Sequence, residues 1–185
     1  MVAKSDLGSD VARRVGSSPT GVTTGLTVNY NFYMYTIKEG FISSDLCDSL
    51  HEEAVKNFIP DRRIKNGWNA RTNRSMDFET RIKDLLTPLI DFNKNDVSWI
   101  NLSEYSNNRS LKKHTDAKSQ LTFVIQLTEG FEGGVLCVEE EFIKMKKGDC
   151  VYFNGKMHQH GVTPVTSGSR VSLNVWTFPK IDITI

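Results

Sequence analysis

Apolar positions in this chain recur at two different spacings, and the change from one to the other divides it. Leu46, Leu50, Ala54 and Phe58 fall four apart, the spacing of one helix face; Ser43 or Ser44 can cap that helix, and Pro60 ends it. A second helix is expected from about 75 to 92, with Ile82, Leu85, Leu86, Leu89 and Ile90 on one stripe and Pro88 kinking it. Both stripes read as faces that pack on a sheet. From Val97 the pattern turns to short apolar runs, which predict strands over 97–105, 111–116, 121–127, 135–138, 142–144, 150–154, 157–162 and 170–178. The aromatic, alternating stretch 29–37 predicts one more strand ahead of the helices. Many short strands broken by turns imply a sandwich or barrel rather than a parallel sheet.

Composition narrows this picture without redirecting it. A chain of 185 residues, 38% hydrophobic, suits one domain with a substantial core, expected over 29–185. Residues 1–28 are rich in Gly, Ser and Thr and lack periodicity, so a flexible tail is expected there. Lys plus Arg number 23 against 22 Asp plus Glu, so the net charge of +1 argues for neither a nucleic-acid binder nor an acidic tail protein. Charge is segregated locally instead. Five basic residues (Arg62, Arg63, Lys65, Arg71 and Arg74) stand against one acidic residue over 61–74, and five glutamates stand against no basic residue over 129–141. Cys47, Cys137 and Cys150 form no paired framework and no C-x-x-C motif, and read as buried free thiols. No stretch approaches the roughly 20 apolar residues that span a bilayer, and the polar N-terminus lacks a secretory segment, so an intracellular, cytoplasmic setting is expected.

The candidate chemistry begins at His114-Thr115-Asp116. Side chains two apart on a strand project from one face, so His114 and Asp116 can share a cation. A histidine from a distant strand would complete two imidazoles and one carboxylate, the facial set that leaves positions open on non-haem Fe(II). His158 and His160 both stand where such a ligand would come from, two apart and on one face by period. Arg170, expected on a strand among Val171, Leu173 and Val175, would be costly to bury without an anionic partner.

The sentence around these residues is similar to that of a known family. His160-Gly161-Val162-Thr163-Pro164-Val165, followed by Arg170-Val171-Ser172-Leu173, closely resembles the distal half of the Fe(II)/2-oxoglutarate dioxygenases, particularly the prolyl 4-hydroxylase-like branch. Tyr105 ahead of His114, the strand Leu121-Thr122-Phe123-Val124-Ile125, the turn Phe131-Glu132-Gly133-Gly134-Val135-Leu136 and the strand start Lys147-Gly148-Asp149 agree with it in order. The resemblance covers about 30–178.

What the resemblance implies is a mainly β fold with α, a double-stranded β-helix of jelly-roll or cupin-like form, braced on its outer face by two or more N-terminal helices. It selects His160 over His158, so that His114, Asp116 and His160 are the expected iron ligands. It assigns Arg170 to the far carboxylate of 2-oxoglutarate, with Ser172 as an additional donor, Tyr105 as a further contact, and Gln126 where several relatives carry a second tyrosine. The implied cofactors are Fe(II), 2-oxoglutarate and O2, with ascorbate as a candidate reductant. The segment 61–74 resembles that branch's substrate loop, so Trp68, Arg71 and Arg74 are expected to meet substrate. The implied reaction is hydroxylation of a C–H bond, most of all in a prolyl residue of a peptide or protein partner, with release of succinate and CO2. A free amino acid or a nucleobase is the alternative substrate, nucleic acid the less favoured partner, and a non-catalytic cupin-type binding module the alternative outside enzymes. No membrane partner is expected.

Overall fold

The structure, a computed structural model, describes residues 34–60, 69–117 and 119–180. The expected tail 1–28, most of the expected strand 29–37, and Trp68 lie outside the described residues.

Helix α1 (Ser44–Asn57) starts where Ser43, in extended backbone, accepts the Leu46 N–H on its Oγ at 3.2 Å. It stops at Phe58, also extended, because Ile59 precedes Pro60 and the proline ring disfavours helical backbone there. Helix α2 (Met76–Leu86) is capped by Ser75 through the Phe78 N–H, with Asp77 and Glu79 at its positive end and Lys83 at its negative end. It does not run to Phe92 with a kink, as the periodicity suggests. Pro88 has no N–H to offer Asp84, so the ladder breaks after Thr87, and Leu89 and Ile90 both close onto the Leu86 carbonyl at 2.8 and 3.1 Å. The apolar stripe survives this ending because a turn can bury Ile90 as well as a helix does. No helix among the described residues is long and apolar enough to cross a membrane.

The strands are β1 (Thr36–Lys38), β2 (Ile59–Pro60), β3 (Asn69–Thr72), β4 (Asn95–Ser106), β5 (Leu111–His114), β6 (Leu121–Gln126), β7 (Glu132–Gly133), β8 (Leu136–Val138), β9 (Glu141–Ile143), β10 (Cys150–Phe153), β11 (His160–Val162), β12 (Val165–Ser167) and β13 (Ser169–Pro179). A large sheet has the order β1-β10-β6-β13-β4-β3-β2 and a smaller one β5-β11-β8-β9, with β12 and β7 pairing separately; every pair is antiparallel. Two sheets wound in this way with helices on one outer face form the double-stranded β-helix. Three details differ from the periodic reading. Strand β5 ends at His114, short of Asp116. Met157 and His158 sit in a turn rather than at the start of β11, because their N–H groups fold back on the Asn154 carbonyl at 3.1 and 3.0 Å. Residues 69–72, expected in a loop, form β3 by adding to the edge of β4.

Alternation along β13 assigns its two faces. Val171, Leu173 and Val175 pack with Phe123 and Ile125 of β6 and with Leu50, Ala54, Phe78, Ile82 and Leu86 of the helices. Arg170, Ser172, Asn174 and Trp176 turn the other way, into the space between the sheets. Phe78 anchors the helix layer, 2% exposed and edge-on to Phe58 at 4.8 Å. Phe78→Ala is expected to remove about 3–5 kcal/mol of stability, read from the midpoint of urea unfolding.

Candidate active site

Four rungs, three of them pairing like with like, build the floor of the space between the sheets. Across β4 and β13, Tyr105 faces Arg170, Ser103 faces Ser172, Asn101 faces Asn174 and Trp99 faces Trp176. Hydrogen bonds run along them: Asn174 Nδ2 donates to Asn101 Oδ1 and Ser103 Oγ, both at 3.0 Å, Ser172 Oγ donates to Asn174 Oδ1 at 3.3 Å, and Arg170 Nη1 donates to Ser172 Oγ at 3.3 Å. The cavity above this floor holds about 600 Å³.

The opposite wall brings the two histidines together. His160 on β11 is the register partner of His114 on β5, and their rings lie 4.5 Å apart, centroid to centroid. Gly161 allows the strands to approach so closely, since a Cβ there would stand 2.6 Å from the Leu111 carbonyl oxygen. Asp116 joins them from the loop after β5, not by strand alternation. Its N–H donates to the Gly155 carbonyl at 2.8 Å, which turns its carboxylate back toward the rings. His114 Nε2 then lies 3.6 Å from Asp116 Oδ1 and His160 Nε2 lies 3.2 Å from Asp116 Oδ2. One ligand atom from each of the three residues falls within 4.8 Å of the others.

The donor chemistry fits a metal ion. His114 Nδ1 lies 3.0 Å from the Lys112 carbonyl and His160 Nδ1 lies 3.0 Å from the His158 carbonyl. A carbonyl only accepts, so each Nδ1 carries the proton and each Nε2 presents a lone pair to the carboxylate. Three acceptors converging in this way repel one another unless a cation lies between them. A proton can play that part, and the Asp116 hydrogen bond, helped by the Lys112 carbonyl and opposed by burial, raises the His114 pKa above its ordinary value. Burial pushes the Asp116 pKa upward, but its neighbours His114 and His160, when protonated at Nε2, and the Thr122 hydroxyl overturn it and hold the carboxyl well below the usual range.

Arg170 fits a dicarboxylate on a separate observation. It is 2% exposed, burial lowers its pKa, and its Nη2 has no hydrogen-bond partner among the described residues. Its guanidinium carbon lies 5.7 Å from the Tyr105 ring centroid, and its one side-chain hydrogen bond goes to the neutral Ser172. A buried cation with an unused donor calls for an anion. Burial raises Tyr105 to about 12 against the lowering effect of Arg170, so its phenol stays protonated and able to donate.

The remaining expected residues scatter. Gln126 is buried, but its Nε2 is committed to the Thr128 and Val171 carbonyls at 3.0 and 3.1 Å, and it lines a second cavity of about 470 Å³ that meets the first at Arg170 and Leu136. His158 does not share a face with His160, because the turn that holds it sets its Nδ1 3.3 Å from Glu139 Oε1. Arg71, on β3, donates to the Val55 carbonyl at the end of α1 at 3.1 Å and does not line the cavity. Arg74 lies over the Trp99 ring at 5.5 Å, beside the cavity. Sequence reasoning missed Trp99, Asn101, Thr122, Asn174 and Trp176. Counting by twos from Arg170 along β13, and from Gln126 back along β6, would have found three of them.

Comparisons with known proteins agree with this geometry. Residues 100–178 match the family model of the 2OG-Fe(II) oxygenase superfamily. No curated protein matches the chain by sequence. Among solved structures, the fold is similar to that of the viral collagen prolyl hydroxylase from Paramecium Bursaria Chlorella virus-1 in its 2OG complex, with TM-score 0.63 and 19% identity over 80% of this chain and 97% of that one. It is similar to a Pseudomonas putida prolyl-4-hydroxylase, with TM-score 0.61 and 17% identity over 80% and 93%. It is also similar to HygX from Streptomyces hygroscopicus with nickel and 2-oxoglutarate bound, with TM-score 0.62 and 13% identity over 85% and 89%. The segment that carries the site is therefore similar to the 2OG-Fe(II) oxygenase superfamily. That family's chemistry uses Fe(II), 2-oxoglutarate and O2.

Proposed function

We propose that this protein hydroxylates a prolyl residue of a peptide or protein. One observation carries the choice of a neutral residue: among the described residues, apart from the His114, Asp116 and His160 cluster, Arg170 is the one ionised side chain lining the large cavity. A charged substrate side chain would enter without a partner, whereas a saturated ring can lie against Trp99 and Trp176. The likeness of the fold to two prolyl hydroxylases supports the same reading.

In this reading His114, Asp116 and His160 would hold Fe(II), and Arg170, Ser172 and Tyr105 would receive the far carboxylate of 2-oxoglutarate. When bound, iron and 2-oxoglutarate supply, with dioxygen, the oxidising power that places oxygen in a C–H bond as succinate and CO2 leave. The chain supplies position and a dry setting. Arg170 fixes one end of the cosubstrate by a forked pair of charge-assisted bonds. The neutral Asn101, Ser103 and Asn174 rungs add no charge that would compete with it.

Incubating the iron-loaded protein with 2-oxoglutarate and proline-containing peptides is expected to release succinate and add one oxygen to the peptide at proline. Succinate release that rises with free amino acids or nucleosides, and with no peptide, would move the substrate to those classes. Keto acid left unconsumed with every pool would favour a binding module.

A further inference from the structure

We infer that Thr122, Gly155 and Trp176 position Asp116 so that only Oδ1 is free to bind metal. This rests on the reading of the three-residue cluster as a metal site. Each carboxylate oxygen offers two lone-pair directions. At Asp116 Oδ2 both are occupied: Thr122 Oγ1 donates at 2.7 Å and Trp176 Nε1 donates at 2.7 Å. Neither reaches Oδ1, which lies 3.6 Å from His114 Nε2, whereas Oδ2, 3.2 Å from His160 Nε2, has both of its lone-pair directions taken by these two donors. Thr122 comes from β6 and Trp176 from β13, adjacent strands on which these two residues are register partners. The two donors therefore converge from the sheet facing the histidines, and the carboxylate is gripped from behind.

Gly155 closes the grip from a third direction. Its carbonyl accepts the Asp116 N–H at 2.8 Å, which fixes the aspartate backbone. It is also buried, and its lack of a side chain leaves room for the carboxylate: a Cβ there would overlap Thr122 Oγ1 and lie 2.6 Å from Asp116 Oδ2. Nothing at this glycine demands left-handed backbone, since it is absent from the residues with positive φ. Space alone selects it.

The functional consequence is economy of coordination. A carboxylate free to rotate can chelate through both oxygens and take two positions on a metal, whereas one with Oδ2 occupied takes one. The position spared is one that a chelating cosubstrate and dioxygen need. Trp176 is thus a positioning residue that acts through Asp116, in addition to lining the cavity.

The test is Co(II) binding to the full chain without 2-oxoglutarate, followed through the visible bands of the ion, for wild type, Trp176→Phe, Thr122→Val, Thr122→Ser and Gly155→Ala. Loss of an outer partner typically weakens metal affinity about 10–100-fold. Trp176→Phe, Thr122→Val and Gly155→Ala are each expected to fall in that range and to change the shape of the Co(II) spectrum. Thr122→Ser keeps the hydroxyl and is expected to stay within about threefold of wild type, on the same scale. Trp176→Phe and Thr122→Val variants that bind Co(II) with wild-type affinity and spectrum overturn the positioning role while leaving the metal site standing. A wild-type chain that binds no Co(II) overturns both. Should Trp176→Phe melt early and fail to fold, the Thr122→Val and Thr122→Ser pair decides alone, because rescue by the hydroxyl is not something packing would provide.

Discussion

Arg170→Met is expected to remove the thermal stabilisation that 2-oxoglutarate should give the wild-type protein, and to leave the unliganded protein as stable as wild type or more so. Both halves follow from the same burial. In the unliganded chain the guanidinium is 2% exposed, and among the described residues it has no carboxylate to pair with and no partner for Nη2, so its desolvation is uncompensated. Methionine fills much of that volume without charge. Ligand binding reverses the balance. A cosubstrate at a hundredfold excess over its Kd stabilises the folded state by about 2.7 kcal/mol, which corresponds to a rise in melting temperature on the order of 5–10 °C for a chain of this size. The rise is expected for wild type and absent for Arg170→Met. Arg170→Lys keeps a charge but not the fork, and at about 1.5–3 kcal/mol for a charge-assisted bond its KM for 2-oxoglutarate is expected to rise roughly 10–100-fold. Thermal scans and succinate-release kinetics check the two outcomes. A destabilised unliganded Arg170→Met would mean that the guanidinium already has an anion in the folded chain.

The second large effect is at the metal cluster. His114→Ala, Asp116→Ala and His160→Ala are each expected to lower metal affinity by more than the roughly 100-fold that loss of an outer partner can reach, and to bring succinate release below detection. The three should not be equivalent without metal. Asp116→Ala relieves the crowding of acceptors around the rings but strands the Thr122 and Trp176 donors, each losing its bond to Oδ2. His114→Ala strands only the Lys112 carbonyl at a 40% exposed position, where water can replace it. Chemical unfolding without metal should therefore rank Asp116→Ala below His114→Ala. Equal stabilities would count against the carboxylate grip described above.

The amino-acid order made some of this legible and hid the rest for physical reasons. The strand pattern and the helix stripes were readable because burial on one face repeats with a fixed period. The grouping of His114, Asp116 and His160 was readable because spacing and resemblance agreed, although the route was not: Asp116 arrives through a loop bonded to Gly155, which periodicity along β5 does not encode. His158 looked equivalent to His160 until the turn at Asn154 removed it from the strand. Arg71 looked like a loop cation until 69–72 paired with β4 and the side chain turned to the end of α1. Trp176 and Thr122 went unread because a threonine or tryptophan on a strand is ordinary, and only their convergence on one oxygen atom gives them meaning.

The matched rungs of β4 and β13 tie catalytic geometry to folding fidelity. Were β13 to slide by a single residue, Val171 and Leu173 would swing into the cavity and Arg170 would be thrust among the leucines and phenylalanines beneath the helices. Misalignment would strand a bare guanidinium in oil, a penalty large enough to purge the wrong pairing. The arginine proposed to meet an acid in the finished protein would in this way also disfavour the slipped pairing.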